Sequence, residues 1–107
     1  MPWIDELTAA VRGRQVTRLR YLRNPDSTGP RTIQPHALFQ TSTGELRLDA
    51  IQLDGPSSEP TFPAWRSFDL TYIADLELLP ETFDCDPSFN PENPHKYRRM
   101  VTRCGEP

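Results

Sequence analysis

Residues 31–55, RTIQPHALFQTSTGELRLDAIQLDG, read as two extended segments around a short polar turn, and the fold follows from how they pair. In the second segment Leu46, Leu48 and Ala50 alternate with Arg47, Asp49 and Ile51. A period of two puts the first set on a core-facing surface and the second on the opposite one. TSTG, residues 41–44, supplies the turn, so residues 31–39 and 45–53 form a β-hairpin. Pro35 has no N–H to give a ladder and therefore marks a bend or an edge in the first segment. Charge enters the hairpin at Arg31, Arg47 and Asp49, each of which is either part of a solvated face or part of a site.

Working outward, Ile4, Leu7 and Val11 recur at helical spacing, and Gly13 stands where a C-terminal cap belongs. Asp5 and Glu6 in the first turn and Arg12 in the last suit the helix dipole, so residues 3–12 read as a short amphipathic helix. Such a helix is too short to stand alone and must pack its apolar stripe on something else. QVTRLRYL, residues 15–22, alternates Thr17, Leu19 and Tyr21 against Val16, Arg18, Arg20 and Leu22, the pattern of a half-buried strand. NPDSTGP, residues 24–30, is a polar turn.

Downstream, DGPSSEPTFP at 54–63 has the composition of an exposed connector that returns to a short strand at 64–68. DLTYI at 69–73 reads as a tight helical turn, and 73–79 as a last strand closed by Pro80. Residues 1–80 thus give a mainly β domain, a small barrel of five strands whose N-terminal helix covers one open end. Residues 81–107 read as an irregular, proline-rich tail. Phe83, Phe89 and Tyr97 are its means of docking on the barrel or on a partner, and HKYRRMV at 95–101 suits one helical turn.

A chain of 107 residues holds one domain. No stretch approaches the ~20 apolar residues of a membrane span, and MPWIDELTAAV lacks the basic start and apolar run of a signal peptide, so the expected location is the cytoplasm. Cys85 and Cys104 lack the close spacing of a redox or zinc motif and are expected to be free thiols. The net charge of −3 is unevenly spread: residues 1–44 carry +3, residues 45–92 carry −9 and residues 93–107 carry +3. An acidic middle argues against a general nucleic-acid coat, while basic ends leave room for a local phosphate-binding face.

Catalytic signatures are missing from the sequence. His36 and His95 each follow a proline and neither belongs to a nucleophile motif; no metal-ligand spacing or glycine-rich phosphate loop occurs. A non-enzymatic protein without cofactor or metal is expected. The arginines are the better lead, because guanidinium groups gathered on one surface hold phosphate in a bidentate manner. Arg18 and Arg20 share a strand face and form a candidate basic patch, or a merely solvated one. Arg31 and Arg47 lie within the hairpin, where Asp49 is within reach of Arg47 for a local ion pair. Arg66 stands between Trp65 and Phe68, where stacking on an aromatic ring is an equally good structural role. Tyr21, if buried, needs a partner for its hydroxyl, and such groups often edge a pocket.

The order of segments resembles the bacterial WYL domain family over residues 4 to about 80: VTRLRYL, a turn, RTIQPHAL, TGELRLDAIQ, a variable loop, then WRSFDLTYIADLELL. Tyr21 falls where that family's first strand ends in tyrosine, and Arg31, Pro35 and Leu38 fit its R-x-x-x-P-x-x-L segment. Leu46, Arg47 and Leu48 occupy the namesake tripeptide, of which Leu48 is kept. Arg66, Phe68, Leu70 and Ile73 fit the later R-x-F-R-L-D-R-I signature, from which Asp69, Thr71 and Tyr72 depart. The resemblance implies an SH3-like, Sm-like five-stranded barrel that senses an anionic ligand, a nucleotide or single-stranded nucleic acid, in bacterial transcriptional regulation or defence. Carried over by position, Arg31, His36 and Arg66 suit the pocket, with Tyr21 at its edge and Arg47 as a replacement cation. One short helix cannot supply a helix-turn-helix reader, so any DNA contact would belong to another chain. The alternative is a protein-interaction adaptor or dimerisation module without the anion pocket.

Overall fold

The computed structural model describes residues 3–56 and 61–105; the connector expected at 54–63 therefore lies partly outside the described residues, at 57–60. Helix α1 (Ile4–Gly13) precedes strands β1 (Gln15–Tyr21), β2 (Pro30–Gln40), β3 (Leu46–Asp54) and β4 (Ala64–Asp69). A 3-10 turn (Leu70–Tyr72) leads into β5 (Ile73–Thr82), and β6 (Arg99–Arg103) closes the order. Together the strands form an open antiparallel sheet of six, ordered β4-β3-β2-β1-β5, with β6 also paired to β2.

The hairpin forms in the expected sense. Leu38 faces Leu48 and Gln40 faces Leu46 across the ladder, and Thr41 donates its N–H to the Glu45 carbonyl at 2.8 Å to close the turn. The Pro35 bend is also present, as a register shift between Pro35 and Ala37. Its consequence is that β2 serves two neighbours along one edge. Pro30 to Ile33 pair with β1, whereas Ala37 to Gln40 pair with β6.

Helix α1 buries Leu7, Ala10 and Val11. Leu7 and Val11 join Leu19, Ile33, Leu38, Leu48, Phe68 and Ile73 in the main core. Arg14, not Gly13, takes the left-handed C-cap position (φ 51°), and its N–H reaches the Ala10 and Val11 carbonyls. β5 runs through Pro80 to Thr82 instead of stopping before it. Pro80 falls within the register shift between Gln15 and Thr17, where a ladder donor is not required.

The largest departure from expectation lies in the tail. In place of an irregular segment with a helical turn, residues 99–103 form a sixth strand. Cys85 and Cys104, expected as free thiols, are joined in a disulfide that spans 19 residues of separation. Widely spaced cysteines carry no local signature of pairing, and only the return of β6 to the sheet brings these two together. A second cluster of Val16, Phe83 and Cys104, with Leu53, Leu79 and Phe89 beside it, forms under the tail. As a result both sides of β3 are covered: Asp49 and Ile51, on the face opposite Leu48 and Ala50, are 2% and 5% exposed.

Candidate functional site

The loop after β1 and the start of β2 build one cleft. Asn24 turns the chain by accepting the Asp26 N–H on its side-chain oxygen at 3.0 Å, and its carbonyl accepts the Ser27 N–H at 3.0 Å. This orients the Ser27 carbonyl toward Arg31, whose Nη2 donates to it at 3.1 Å. The Arg31 guanidinium lies 5.4 Å from the Tyr21 ring centroid and 5.9 Å from that of Phe68, within range for cation–π attraction. Only 8% of Arg31 is exposed, and its Nε is buried without a partner. Burial pulls the Arg31 pKa below its ordinary value, with Tyr21 opposing the shift and the nearby charge of Arg66 adding to it.

Tyr21 is buried and its hydroxyl accepts the Asp69 N–H at 2.9 Å, the partner a buried tyrosine requires. The ring is held edge-on to Phe68 at 5.0 Å. Gly55 packs against the start of β2 with φ at +108°; a Cβ there would lie 2.6 Å from the Pro30 carbonyl and 2.8 Å from the Arg31 Cα. The cleft encloses about 370 Å³, and its described lining includes Tyr21, Arg23, Ser27, Arg31 and Arg66. Tyr21, Arg31 and Arg66 of the sequence-derived set therefore converge. Arg23 joins them and was missed, because its position in a turn gives no periodic signal; the only hint is that such loops often carry binding groups.

The other named residues lie elsewhere. Arg47 reaches Glu45 at 3.4 Å; the pair with Asp49, the alternative to a ligand role, is replaced by that of Asp49 with Lys96. His36 is fully buried under the tail. Its Nδ1 donates to the Gln34 carbonyl at 2.8 Å and its Nε2 accepts the Asp86 N–H at 3.0 Å. Both ring nitrogens are thus committed to backbone, in a neutral tautomer, and burial lowers the pKa of the ring. Edge contacts with Trp65 at 4.9 Å and Phe89 at 5.3 Å make it the floor on which the tail docks. Arg18 pairs with Glu77 at 3.6 Å on an exposed surface, and Arg20 faces Asp75 across the β1–β5 ladder. Those carboxylates offset the patch that the two arginines form in sequence.

The Asp69 carboxylate does not line the arginine cleft. It accepts from the Thr71 hydroxyl at 2.7 Å and the Thr71 N–H at 3.0 Å, capping the 3-10 turn. Those two bonds lower its pKa.

A second cleft of about 400 Å³ opens between the tail and the outer side of β3 and β4, lined by Asp49, Trp65, Arg66, Phe89, Asn90 and Lys96 among others. Asp49 Oδ2 takes a hydrogen bond from the Tyr97 hydroxyl at 2.6 Å and an ion pair from Lys96 at 2.8 Å. Burial and that carboxylate raise the Tyr97 pKa. Phe83, Phe89 and Tyr97 are therefore engaged with the chain's own sheet through His36 and Phe39. Among the described residues no group of three or more His, Cys, Asp or Glu side chains is placed to hold a metal ion. No helix among them is long and apolar enough to cross a membrane.

No family model, no curated protein and no solved structure matches this chain.

Proposed function

We propose that this protein is a non-enzymatic anion-binding module, and that the cleft of Arg23, Arg31 and Arg66 takes the phosphate of a nucleotide or of short single-stranded nucleic acid. The observation that carries this reading is Arg31: a nearly buried guanidinium, braced on two aromatic rings, with a donor left over. Guanidinium donors form a rigid fork, and a phosphate oxygen is the acceptor that such a fork suits best. Arg23 and Arg66 on the same cleft add charge where a phosphate would sit. The tight bend of β2, with two partners on one edge, supports the view of the sheet as an SH3-like or Sm-like barrel. With the WYL-like order of segments, it also supports a sensing role in bacterial regulation or defence. A cytoplasmic setting belongs to this reading, and there the Cys85–Cys104 bond would be open to reduction.

Calorimetric titration at low salt with orthophosphate, nucleoside monophosphates and short single strands tests the proposal. Arg31→Ala and the exposed Arg23→Ala should each weaken binding by about 10- to 100-fold, the usual loss for a hydrogen bond to a charged group. Arg47→Ala and Arg18→Ala should leave it unchanged. Absence of binding by all three probes in 20 mM salt, or equal losses from all four substitutions, would end the proposal.

A further inference from the structure

The arginine cleft explains neither the larger cleft beside it nor the buried carboxylate at that cleft's base. Asp49 is 2% exposed, its Oδ2 is occupied by Lys96 and Tyr97, and its Oδ1 has no partner. An ionised carboxylate only accepts hydrogen bonds, so this oxygen calls for an N–H or O–H donor. Leaving such an atom buried and unmatched is costly, so it calls for an explanation, and a bound group that brings a donor to it is one.

The wall above Asp49 is aromatic and held in place. Trp65 is 37% exposed, yet its indole N–H donates to the Ser88 hydroxyl at 3.0 Å, which in turn donates to Asp86 at 2.6 Å. Its ring stands edge-on to His36 at 4.9 Å and tilts only 30° from the Phe89 ring. A half-exposed indole fixed at its polar end and along its edge is a prepared surface for a flat ring. The exposed carboxamide of Asn90 lies at the rim. Arg66 lines this cleft and the arginine cleft alike.

We propose that the cleft of Trp65, Phe89 and Asp49 is a base-binding subsite contiguous with the arginine cleft through Arg66, and that it favours bases carrying an exocyclic amino group. This rests on the phosphate-binding reading given above and extends it to the other end of the same ligand. The base stacks on Trp65, its amino group donates to Asp49 Oδ1, and its sugar passes Arg66 to bring the phosphate to Arg31. Stacking is tolerant of sequence, whereas the carboxylate selects: adenine, cytosine and guanine carry the amino donor, while the one edge N–H of uracil lies between two carbonyl oxygens that a carboxylate repels.

Binding of orthophosphate, ribose 5-phosphate and the adenosine, cytidine, guanosine and uridine 5′-monophosphates to the intact protein at low salt tests this. The amino-bearing nucleotides should bind about 5- to 150-fold more tightly than ribose 5-phosphate, the range that one stacked base supplies. Uridine monophosphate should fall between them. Trp65→Leu should remove the advantage of the nucleotides and leave ribose 5-phosphate affinity unchanged, and that second reading also reports that the variant is folded. If ribose 5-phosphate binds as tightly as every nucleotide, the base subsite is wrong and the phosphate cleft stands. If none of the probes binds, both fall. Equal affinity for all four nucleotides, above ribose 5-phosphate, overturns the role given to Asp49.

Discussion

Tyr97 and His36 both hold the tail to the sheet, and each makes a separable prediction. The Tyr97 hydroxyl gives a 2.6 Å hydrogen bond to a carboxylate that is almost fully buried. Tyr97→Phe should therefore lower stability by about 1.5–3 kcal/mol, read from the shift of a urea midpoint at unchanged slope. His36 is held neutral, with its pKa lowered from 6.5 by burial. The unfolded chain then binds more protons than the folded one below that value. Stability contributed by the neutral ring is complete above pH 6.5 and is lost as pH falls from there toward the lowered folded value. Melting temperature followed between pH 8 and pH 5 should drop in this window for the wild type, and His36→Gln should flatten that slope while starting lower. A second loss should begin near the ordinary carboxylate value of 3.8 and continue below it, until Asp69 and Asp86, both with lowered pKa values, become protonated.

At the scale of elements, the disulfide and β6 act as one unit. Cys104 donates its N–H to the His36 carbonyl at 2.7 Å and its sulfur ties the end of β6 back to Cys85. Closing a loop of this length removes unfolded-state freedom worth roughly 3 kcal/mol. Treatment with a dithiol reductant, or Cys85→Ser with Cys104→Ser, should lower the melting temperature. It should also raise hydrogen exchange at Arg99–Arg103 well beyond any change in β1. Uniform loss of protection across the sheet would show instead that β6 does not open as a unit. The turn after β3 is a second local test. Gly55 combines a positive φ with backbone 2.6 Å from where a Cβ would stand, so Gly55→Ala should cost at least the roughly 1–3 kcal/mol of a strained residue. Because the nearby atom belongs to Pro30, next to Arg31, the same change should weaken phosphate binding.

For the whole molecule, charge layout sets how binding responds to salt. The protein is net acidic at −3, and the arginines of β1 are matched by Glu77 and Asp75 on β5. In the binding mode proposed above, one phosphate meets the arginine cleft. The logarithm of affinity for a short single strand should therefore fall with the logarithm of salt at a slope near −0.7, the value for one phosphate contact. A slope several times steeper would point to additional phosphate contacts beyond that cleft, for which the basic tail residues Arg98 and Arg99 are exposed.

The sequence by itself determined the local elements: a period-two pattern in residues 45–53, a helical stripe at Ile4, Leu7 and Val11, and turn chemistry at 24–30 and 41–44 each imply one conformation. It also placed Tyr21, Arg31 and Arg66 among the candidate residues, since each sits at a position where a charge or hydroxyl within a strand asks for a partner. What only the tertiary structure decided is which candidates share a cleft and what covers the second side of β3. Arg47 and Arg31 belong to the same hairpin, but lie on partner strands far apart in register, Arg47 opposite Phe39 and Arg31 opposite Leu19. His36 is drawn away because the Pro35 bend hands the second half of β2 to β6. The tail has little periodicity of its own, and its order comes from contacts made at long range: Cys85 with Cys104, Tyr97 with Asp49, and Phe89 with His36. Such contacts leave no trace in local spacing, which is why the residues of the larger cleft became visible only once the chain had folded back on itself.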